Sequence, residues 1–248
     1  MKNNEIKSID LTLVYQLKDA LENSPKTHAM WLGGSIAAGF DDELSDADLF
    51  VDIDDGTEQE IFELVESFLE KNGKIDQKLG TRITPPYTHR TYHMKGMSPY
   101  DFIEVTLHVH SNTHDFNHAS TKIKVLFDKD GTTDHEPRDE LKYAEELEQI
   151  RQSLLVKLQI GETSVEKEIV RGNFMDAMHN YEFWLIEPVI KLARIKLVPD
   201  KAFNGLKHGN RDLPKETIDE VQSLYTIKSL EDIGNKIEEI RAMAKKYS

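Results

Sequence analysis

Apolar residues recur along this chain at two different periods, and the change of period divides the chain in two. Short apolar or alternating runs dominate the first half, and runs of this kind are typical of strands. The predicted strands lie at residues 29–32, 47–53, 88–94, 102–109 and 122–127. From about residue 136 onward, apolar residues recur every three or four positions, which is typical of helices. The predicted helices lie at residues 139–158, 164–196, 215–224 and 229–246.

The first half also contains helical patterns. Apolar residues share one face at residues 9–21 and again at 57–71, and a short helix is predicted at 35–40. Strands 88–94 and 102–109 are expected to pair in antiparallel fashion. Pro188 predicts a kink or break inside helix 164–196. The fold class is therefore α+β, with a small mixed sheet flanked by helices in residues 1–135 and an α-helical bundle in residues 136–248.

Composition narrows the function classes. The 248 residues include no cysteine, which excludes disulfides, a thiolate nucleophile and cysteine-based metal sites. A formal charge of −14 makes nucleic acid an unfavourable partner and favours a cationic substrate. The N-terminal segment is polar, and no apolar run approaches the roughly 20 residues of a membrane helix. We expect a cytoplasmic protein without a membrane partner.

A glycine-rich turn carries the first chemical signal. Gly33-Gly34-Ser35 stands where a predicted strand turns into a helix. Backbone N–H groups and a serine hydroxyl at such a turn bind phosphate oxygens, aided by the helix dipole. The segment lacks the lysine of a P-loop and does not have the GxGxxG spacing, so neither of those nucleotide motifs is indicated.

Acidic residues on the next strand carry the second signal. Asp46 and Asp48 lie two positions apart, and residues at this spacing point to the same face of a strand. Two carboxylates so placed suit a pair of Mg²⁺ ions that bind the attacking and leaving oxygens of a phosphoryl displacement. Glu104, on a later strand, is the predicted third acid, as metal ligand, general base or both. Asp101 is the alternative, at a strand start where an acid is easily solvated.

These motifs resemble those of the nucleotidyltransferase superfamily. Gly34-Ser35 is followed after ten intervening residues by Asp46-Ala47-Asp48, and Gly39, Ser45 and Leu49 also fit the pattern. The resemblance is greatest to the aminoglycoside adenylyltransferases, whose third-acid strand resembles residues 103–106 and whose glutamate there serves as base. The resemblance implies transfer of AMP from ATP with Mg²⁺, and two ions are expected. It also implies that Gly34, Ser35 and Ser45 bind the nucleotide.

The C-terminal half resembles the helical domain that closes over nucleotide and acceptor in these enzymes. The resemblance implies that Arg194 contacts phosphate, together with either Lys201 or Lys207. For the acceptor, it points to the helix that precedes Arg194. The candidates there are Glu182, Trp184 and Glu187. The alternative interpretation places Trp184 in the core and Glu182 on the surface.

Two further signals have ordinary explanations. Four histidines cluster around the end of a predicted strand, at His108, His110, His114 and His118. A His-x-His pair can bind zinc, but histidine is also frequent in polar loops, and the spacing to acids matches no hydrolytic metal motif. Arg90 is expected to pair with a neighbouring acid rather than with phosphate.

The sequence therefore predicts a Mg²⁺-dependent nucleotidyltransferase that moves AMP from ATP to a hydroxyl of a small molecule. An aminoglycoside-like, cationic antibiotic is the candidate acceptor. Two alternatives remain: nucleotidylation of a protein or RNA acceptor, and a catalytically silent nucleotide-binding module that regulates another process.

Overall fold

The computed structural model describes residues 11–84, 87–112, 114, 116 and 122–248. The chain divides into two compact units, Met1–Pro137 and Arg138–Ser248. The first unit contains the sheet and the second contains only helices. The predicted α+β class, with a mixed sheet in the N-terminal domain and helices in the C-terminal domain, is confirmed.

The N-terminal sheet has six strands in the order β3-β4-β5-β2-β1-β6. The strands are β1 (Thr27–Leu32), β2 (Ala47–Ile53), β3 (Ile75–Thr84), β4 (Tyr87–Met94), β5 (Ile103–Val109) and β6 (Lys124–Asp128). β2 and β5 pair in parallel, whereas the other neighbouring strands pair antiparallel, including the predicted pair β4 and β5. The parallel pair sets the register of the acidic residues described below.

Helices cover one face of this sheet. They are α1 (Leu11–Glu22) and α3 (Glu58–Asn72), while a five-residue helix, α2 (Gly34–Ala38), follows β1. Leu17 of α1 and Val65 of α3 pack with Leu49 and Val51 of β2, and all four are almost completely buried. Because strand residues alternate between faces, the even-numbered residues of β2 are directed to the opposite face.

Strand β3 is a strand that sequence patterns did not predict. It lies at the edge of the sheet and pairs only with β4. Its residues are largely polar, and its one large apolar residue in mid-strand, Leu79, is 68% exposed. An edge strand with little apolar burial has no alternating pattern to detect, because its stability comes from the backbone pairing with β4.

The C-terminal unit consists of helices packed around their own core. These are α4 (Glu140–Arg171), α5 (Phe174–Tyr181), a π-helical turn (Glu182–Ile186), α6 (Glu187–Leu197), a 3₁₀ segment (Pro199–Asn204), α7 (Gly209–Asp212), α8 (Lys215–Leu224) and α9 (Leu230–Tyr247). Val165, Val189, Leu224 and Ile233 are fully buried in that core. None of the described helices is long and apolar enough to cross a membrane.

The predicted break between residues 158 and 164 was wrong. Helix α4 runs through it and ends instead at Gly172, which adopts a left-handed conformation with φ of 74°. Gly161 lies inside the helix, where a Cβ would lie 2.5 Å from Cβ of Trp184, so the contact requires a glycine. The glycine thus marks a close approach of two helices rather than a helix end.

Pro188 disturbs the helical hydrogen bonding without ending it. It stands in the first turn of α6, directly after the π-helical turn. Proline has no N–H and its ring crowds the carbonyl of the residue four positions earlier, so the regular α-helical pattern cannot continue through it. The irregularity expected at this proline therefore takes the form of a wider helical turn.

Candidate active site

The glycine-rich turn lies directly against the second acid of the Asp-x-Asp motif. Gly34 has φ of +58°, and a Cβ on it would lie 1.8 Å from Oδ2 of Asp48. Gly33 donates its N–H to the carbonyl of Asp48 at 2.9 Å, and a Cβ on Gly33 would meet the ring of Phe50 at 2.4 Å. Both glycines are therefore required by the close approach of this turn to β2.

The parallel pairing of β2 and β5 brings the acids together. Asp48 stands opposite Glu104 in the register, and strands in a sheet lie about 4.8 Å apart. Asp46 immediately precedes β2, and its Oδ1 accepts a hydrogen bond of 3.0 Å from the N–H of Phe102. The three predicted acids thus lie at one end of two adjacent strands, next to the Gly33-Gly34 turn.

The charged groups at this end of β2 and β5 are acidic, which suits a site for a cation. Burial raises the pKa of Asp46, against the opposing effect of the hydrogen bond from Phe102. Among the described residues, no lysine or arginine forms an ion pair with Asp46 or Glu104. The side chains of Asp46, Asp48 and Glu104 offer only oxygen donors, which are the ligands that Mg²⁺ prefers. The residues present therefore fit the metal that the sequence motifs imply.

Asp101 differs from its expected state. An acid at a strand start was expected to be solvated, but Asp101 is only 2% exposed and its Oδ1 has no hydrogen-bond partner. Burial raises its pKa, and the nearby charge of Asp46 acts in the same direction. The turn at Ser98, whose carbonyl accepts the N–H of Asp101, holds the residue in the interior.

The two serines of the motif differ in their surroundings. Ser35 is half-buried in the first turn of α2, where its carbonyl accepts the N–H of Gly39 at the end of that helix. The Ser45 hydroxyl is already used in the loop before β2, since it accepts the N–H of Asp42 at 2.9 Å and donates to that carboxylate. These two hydrogen bonds stabilise the loop immediately before Asp46.

Arg90 lies on the helix-covered side of the sheet. Its guanidinium bonds Glu66 at 2.8 Å and Gln59 at 2.9 Å, and it stacks over the ring of Phe62. The expected pairing with an acid is confirmed.

Arg194 occupies a different environment from the one its proposed phosphate contact requires. The side chain is fully buried in the helical unit. Its guanidinium donates to the carbonyls of Gly205 at 2.5 Å and Lys207 at 2.6 Å, and it pairs with Asp212 at 3.3 Å. Arg194 therefore holds the loop that follows the 3₁₀ segment, and its predicted phosphate contact stays a prediction.

Two lysines of the same loop remain candidates for a phosphate contact. The ammonium of Lys201 lies 2.7 Å from Asp212, a buried carboxylate that also pairs with Arg211. Lys207 is exposed, and among the described residues its ammonium has no acidic partner. His208 next to it has φ of 58°, so the loop holds a backbone conformation that non-glycine residues rarely adopt.

The acceptor candidates lie in or beside the π-helical turn and are not equivalent. Glu187 pairs with Lys191 at 2.7 Å and with Lys157 at 3.7 Å, so its charge is balanced within the helical unit. Trp184 is half-buried and packs against Gly161. Glu182 is exposed.

Glu182 also interacts with Tyr225, a residue that lines a cavity in the helical unit. Burial, reinforced by the charge of Glu182 and a hydrogen bond to it, raises the pKa of Tyr225 to about 12. Tyr225 lines a cavity of about 240 Å³ together with Ile190, Leu206 and Leu213. The lining is mostly apolar, and the carboxylate of Glu182 lies next to it through its contact with Tyr225.

The histidines gather at the other end of the sheet. His108 is packed among Trp31, Phe50, Tyr87 and His114, and burial lowers its pKa to about 4. It shares a strand face with Glu104, as predicted, but it is part of an aromatic cluster. His118 lies outside the described residues.

Comparison with known proteins agrees with this geometry. Residues 14–89 match the family model described as "Nucleotidyltransferase domain", a range that includes the glycine-rich turn and both aspartates. The match lies within the N-terminal unit, where it indicates a nucleotidyltransferase domain and with it transfer of nucleotidyl groups. None of the curated proteins matches the chain.

One solved structure similar to this chain is a nucleotidyltransferase-like protein from Exiguobacterium sibiricum. The two chains share 12% sequence identity, with a TM-score of 0.42. The similarity covers 94% of this chain and 75% of the other.

Proposed function

We propose that this protein transfers the nucleoside monophosphate of ATP to a hydroxyl group of a small, cationic molecule. The observation that carries the proposal is the contact of the left-handed Gly34 turn with the Asp48 carboxylate, with Glu104 opposite Asp48 in the register. A phosphate-binding turn and a set of acids at the same strand ends is the arrangement that nucleotidyl transfer needs.

In this proposal the acids bind metal ions and the glycine-rich turn binds phosphate. Asp46, Asp48 and Glu104 would hold two Mg²⁺ ions, which when bound neutralise phosphate charge and polarise the phosphorus that is attacked. The backbone at Gly34 and Ser35 holds the phosphate chain against Asp48. Positioning and charge neutralisation of this kind supply most of the rate enhancement in phosphoryl transfer.

Glu104 is the proposed general base. It accepts the proton of the acceptor hydroxyl as that oxygen forms a bond to the α-phosphorus. The bond from the α-phosphorus to the bridging oxygen breaks, and pyrophosphate leaves with the bonding electrons. Glu104 suits this role because it is partly exposed and has no cationic partner among the described residues.

The loop fastened by Arg194 is the proposed source of the phosphate-binding cations. Lys207 is the stronger candidate because its ammonium is exposed and is not tied to an acid, whereas Lys201 is held by Asp212. Arg194 acts through the loop, since its bonds to the Gly205 and Lys207 carbonyls set the backbone on which Lys207 stands.

The cavity beside Glu182 is the proposed acceptor site. Its apolar lining suits the ring of a small molecule, and Glu182 can pair with an amine. An aminoglycoside-like compound combines hydroxyls with amines and is the acceptor class we propose. The net charge of −14 favours such a cation.

Release of pyrophosphate from Mg²⁺–ATP tests the proposal. The protein is assayed against a panel of aminoglycosides and lincosamides, and the product is identified by a mass increase of one AMP. Glu104→Gln should abolish turnover while ATP binding persists, and Glu70→Gln, at an exposed glutamate of α3, is the matched control.

Each other outcome has a distinct meaning. Intact ATP binding with no turnover on the panel would reject a small-molecule acceptor of these classes and favour a protein or RNA acceptor. Transfer that persists in Glu104→Gln would remove the assigned base. Failure to bind Mg²⁺–ATP at all would contradict nucleotidyl transfer itself.

A further inference from the structure

A second group of side chains that could hold a metal ion lies at the opposite end of β2 from Asp46 and Asp48. It consists of His28, His110 and Asp130, which we name the histidine site. Asp48 and Asp52 are four residues apart on β2, about 13 Å at the rise of a strand, and the histidine site lies beyond Asp52. It is therefore separate from the nucleotidyltransferase acids.

Three chain segments meet at this site because of the sheet topology. His28 is near the start of β1, His110 follows β5 and Asp130 follows β6. β1 runs antiparallel to β2 and β6, and β5 runs parallel to β2. The start of β1 and the ends of β5 and β6 therefore lie at the same end of the sheet's strands. Backbone bonds hold them there, from the His110 N–H to Ile53 and from the Lys129 N–H to His28, each at 2.8 Å.

The side-chain geometry is close to that of a metal site. One donor atom from each of the three residues lies within 4.8 Å of the others. Nδ1 of His28 is 2.5 Å from Oδ2 of Asp130, and the rings of His28 and His110 stack with centroids 3.8 Å apart. A tetrahedral Zn²⁺ with bonds of about 2.0–2.1 Å spaces its ligand atoms about 3.3 Å apart, so small adjustments of the exposed His110 and Asp130 side chains suffice to close the site around His28.

Each imidazole also has a carboxylate on its second nitrogen. Nε2 of His28 lies 2.8 Å from Asp54, and Nδ1 of His110 lies 2.6 Å from Asp52. Histidines that bind metals usually donate their other N–H to a carboxylate, which fixes the tautomer and the ring orientation. Here these bonds leave Nδ1 of His28 and Nε2 of His110 as the nitrogens available to a metal.

Buried polar groups lie behind the site and lack full hydrogen bonding. The side chain of Asp52 is fully buried and that of His114 is 7% exposed. Oδ1 of Asp52 and Nε2 of His114 are 3.2 Å apart, yet neither has a hydrogen-bond partner. A buried carboxylate among imidazoles is costly unless positive charge compensates it, and a cation bound by His110 would add that charge.

We propose that His28, His110 and Asp130 bind one divalent transition-metal ion, with Zn²⁺ the best fit, and that its remaining position is open to solvent. Imidazole nitrogens select Zn²⁺ over Mg²⁺, which prefers oxygen ligands. The ion joins the start of β1 to the segments that follow β5 and β6. His28 was absent from the sequence-level histidine cluster because it precedes the others by 80 residues or more and only the sheet brings it close.

Metal content and affinity test this site. The 248-residue chain is titrated with Zn²⁺ in the presence of excess Mg²⁺, and Co²⁺ absorption reports the ligand geometry. We expect one Zn²⁺ per chain in the wild type and in Asp48→Asn, and its loss in His110→Gln and Asp130→Asn. His179→Gln, at an exposed histidine of the helical unit, is the matched control and should retain it.

A graded variant separates a metal site from a simple ion-pair clamp. Asp54→Asn should weaken Zn²⁺ binding by about 10–100-fold, because Asp54 only orients His28. Zn²⁺ that stays bound in both His110→Gln and Asp130→Asn would place the ion elsewhere and overturn the proposal. Absence of Zn²⁺ binding in the wild type would leave a protonated His28 held between Asp54 and Asp130, and would overturn it equally.

Discussion

Asp46 in the N-terminal unit and Asp212 in the helical unit are the same residue type in opposite electrostatic settings. Burial raises the pKa of Asp46, and among the described residues no lysine or arginine pairs with it. Burial also acts to raise the pKa of Asp212, but hydrogen bonds from Arg211 and Lys201 outweigh it and hold that pKa well below the usual range. The protein itself neutralises Asp212, whereas Asp46 has no lysine or arginine partner among the described residues, as our proposal of an external cation at Asp46 requires.

The largest expected effect is on activity, from Asp46→Asn. Loss of a metal-binding carboxylate should remove about 4 kcal/mol of transition-state stabilisation, or about 10³-fold in turnover. The melting temperature should stay the same or rise, since the change removes a charge that burial disfavours and keeps an oxygen for the Phe102 N–H.

Pyrophosphate release and thermal melting measure these two effects. Glu43→Gln, at an exposed acid of the preceding loop, should leave both unchanged. Equal losses of activity in the two variants would mean that the general negative field matters rather than the Asp46 carboxylate.

The same substitution in the helical unit should act on stability. Asp212→Asn leaves the Arg194 guanidinium, which is 0% exposed, without its counter-charge. Breaking a buried pair by removal of one partner costs about 3–5 kcal/mol. Urea unfolding measures the loss, and Asp219→Asn, in an exposed pair with Lys215, should change stability by less than about 1 kcal/mol.

Acid should remove the difference between wild type and Asp212→Asn. The pKa of Asp212 is lower in the folded state than in the unfolded state, so folding favours the charged form. Its contribution is complete above about pH 4, the unfolded value, and is lost as the pH falls toward the folded-state pKa. Urea unfolding at pH 7, 5 and 3 should show the gap shrinking only at the lowest pH. A constant gap would mean that shape rather than charge explains the loss.

Two glycines in the same segment should give a smaller loss of stability than Asp212→Asn. Gly34→Ala and Gly39→Ala both force alanine into a left-handed conformation, with φ of +58° and +77°, at a cost of about 1–2 kcal/mol. Only the Gly34 methyl group meets Asp48, since a Cβ at Gly39 has nothing within 4 Å.

The two glycine variants should therefore differ in Mg²⁺–ATP binding and turnover. Displacement of Asp48 by about 1 Å should reduce activity by about 10²-fold in Gly34→Ala, with little change in Gly39→Ala. Calorimetric ATP titration and pyrophosphate release distinguish them. Similar activities in the two variants would argue against a working contact between the turn and Asp48.

Local patterns predicted the elements whose apolar residues are periodic. Helix α8 matches its predicted bounds, and the buried strands β2 and β5 match theirs closely, because burial of one face imposes a period on the residues. The polar edge strand β3 was missed because its residues show no such period. The continuity of α4 through Gly161 was missed because the close packing of Trp184 on that glycine is a tertiary contact.

The sequence by itself determined the nucleotidyltransferase signature, since the Gly34-Ser35 turn and the Asp46–Asp48 spacing lie close together in the chain and depend only on local sequence. It also offered Glu104 as the third acid, and the pairing of β2 with β5 is what places that residue opposite Asp48. Only the tertiary structure decided the environments that depend on contacts between residues distant in the chain. It buried Arg194 among the loop carbonyls, and it brought His28 next to His110 and Asp130 at one end of the strands. Residue type limits the chemistry available to a side chain, whereas burial and neighbouring charges decide which of its roles is realised.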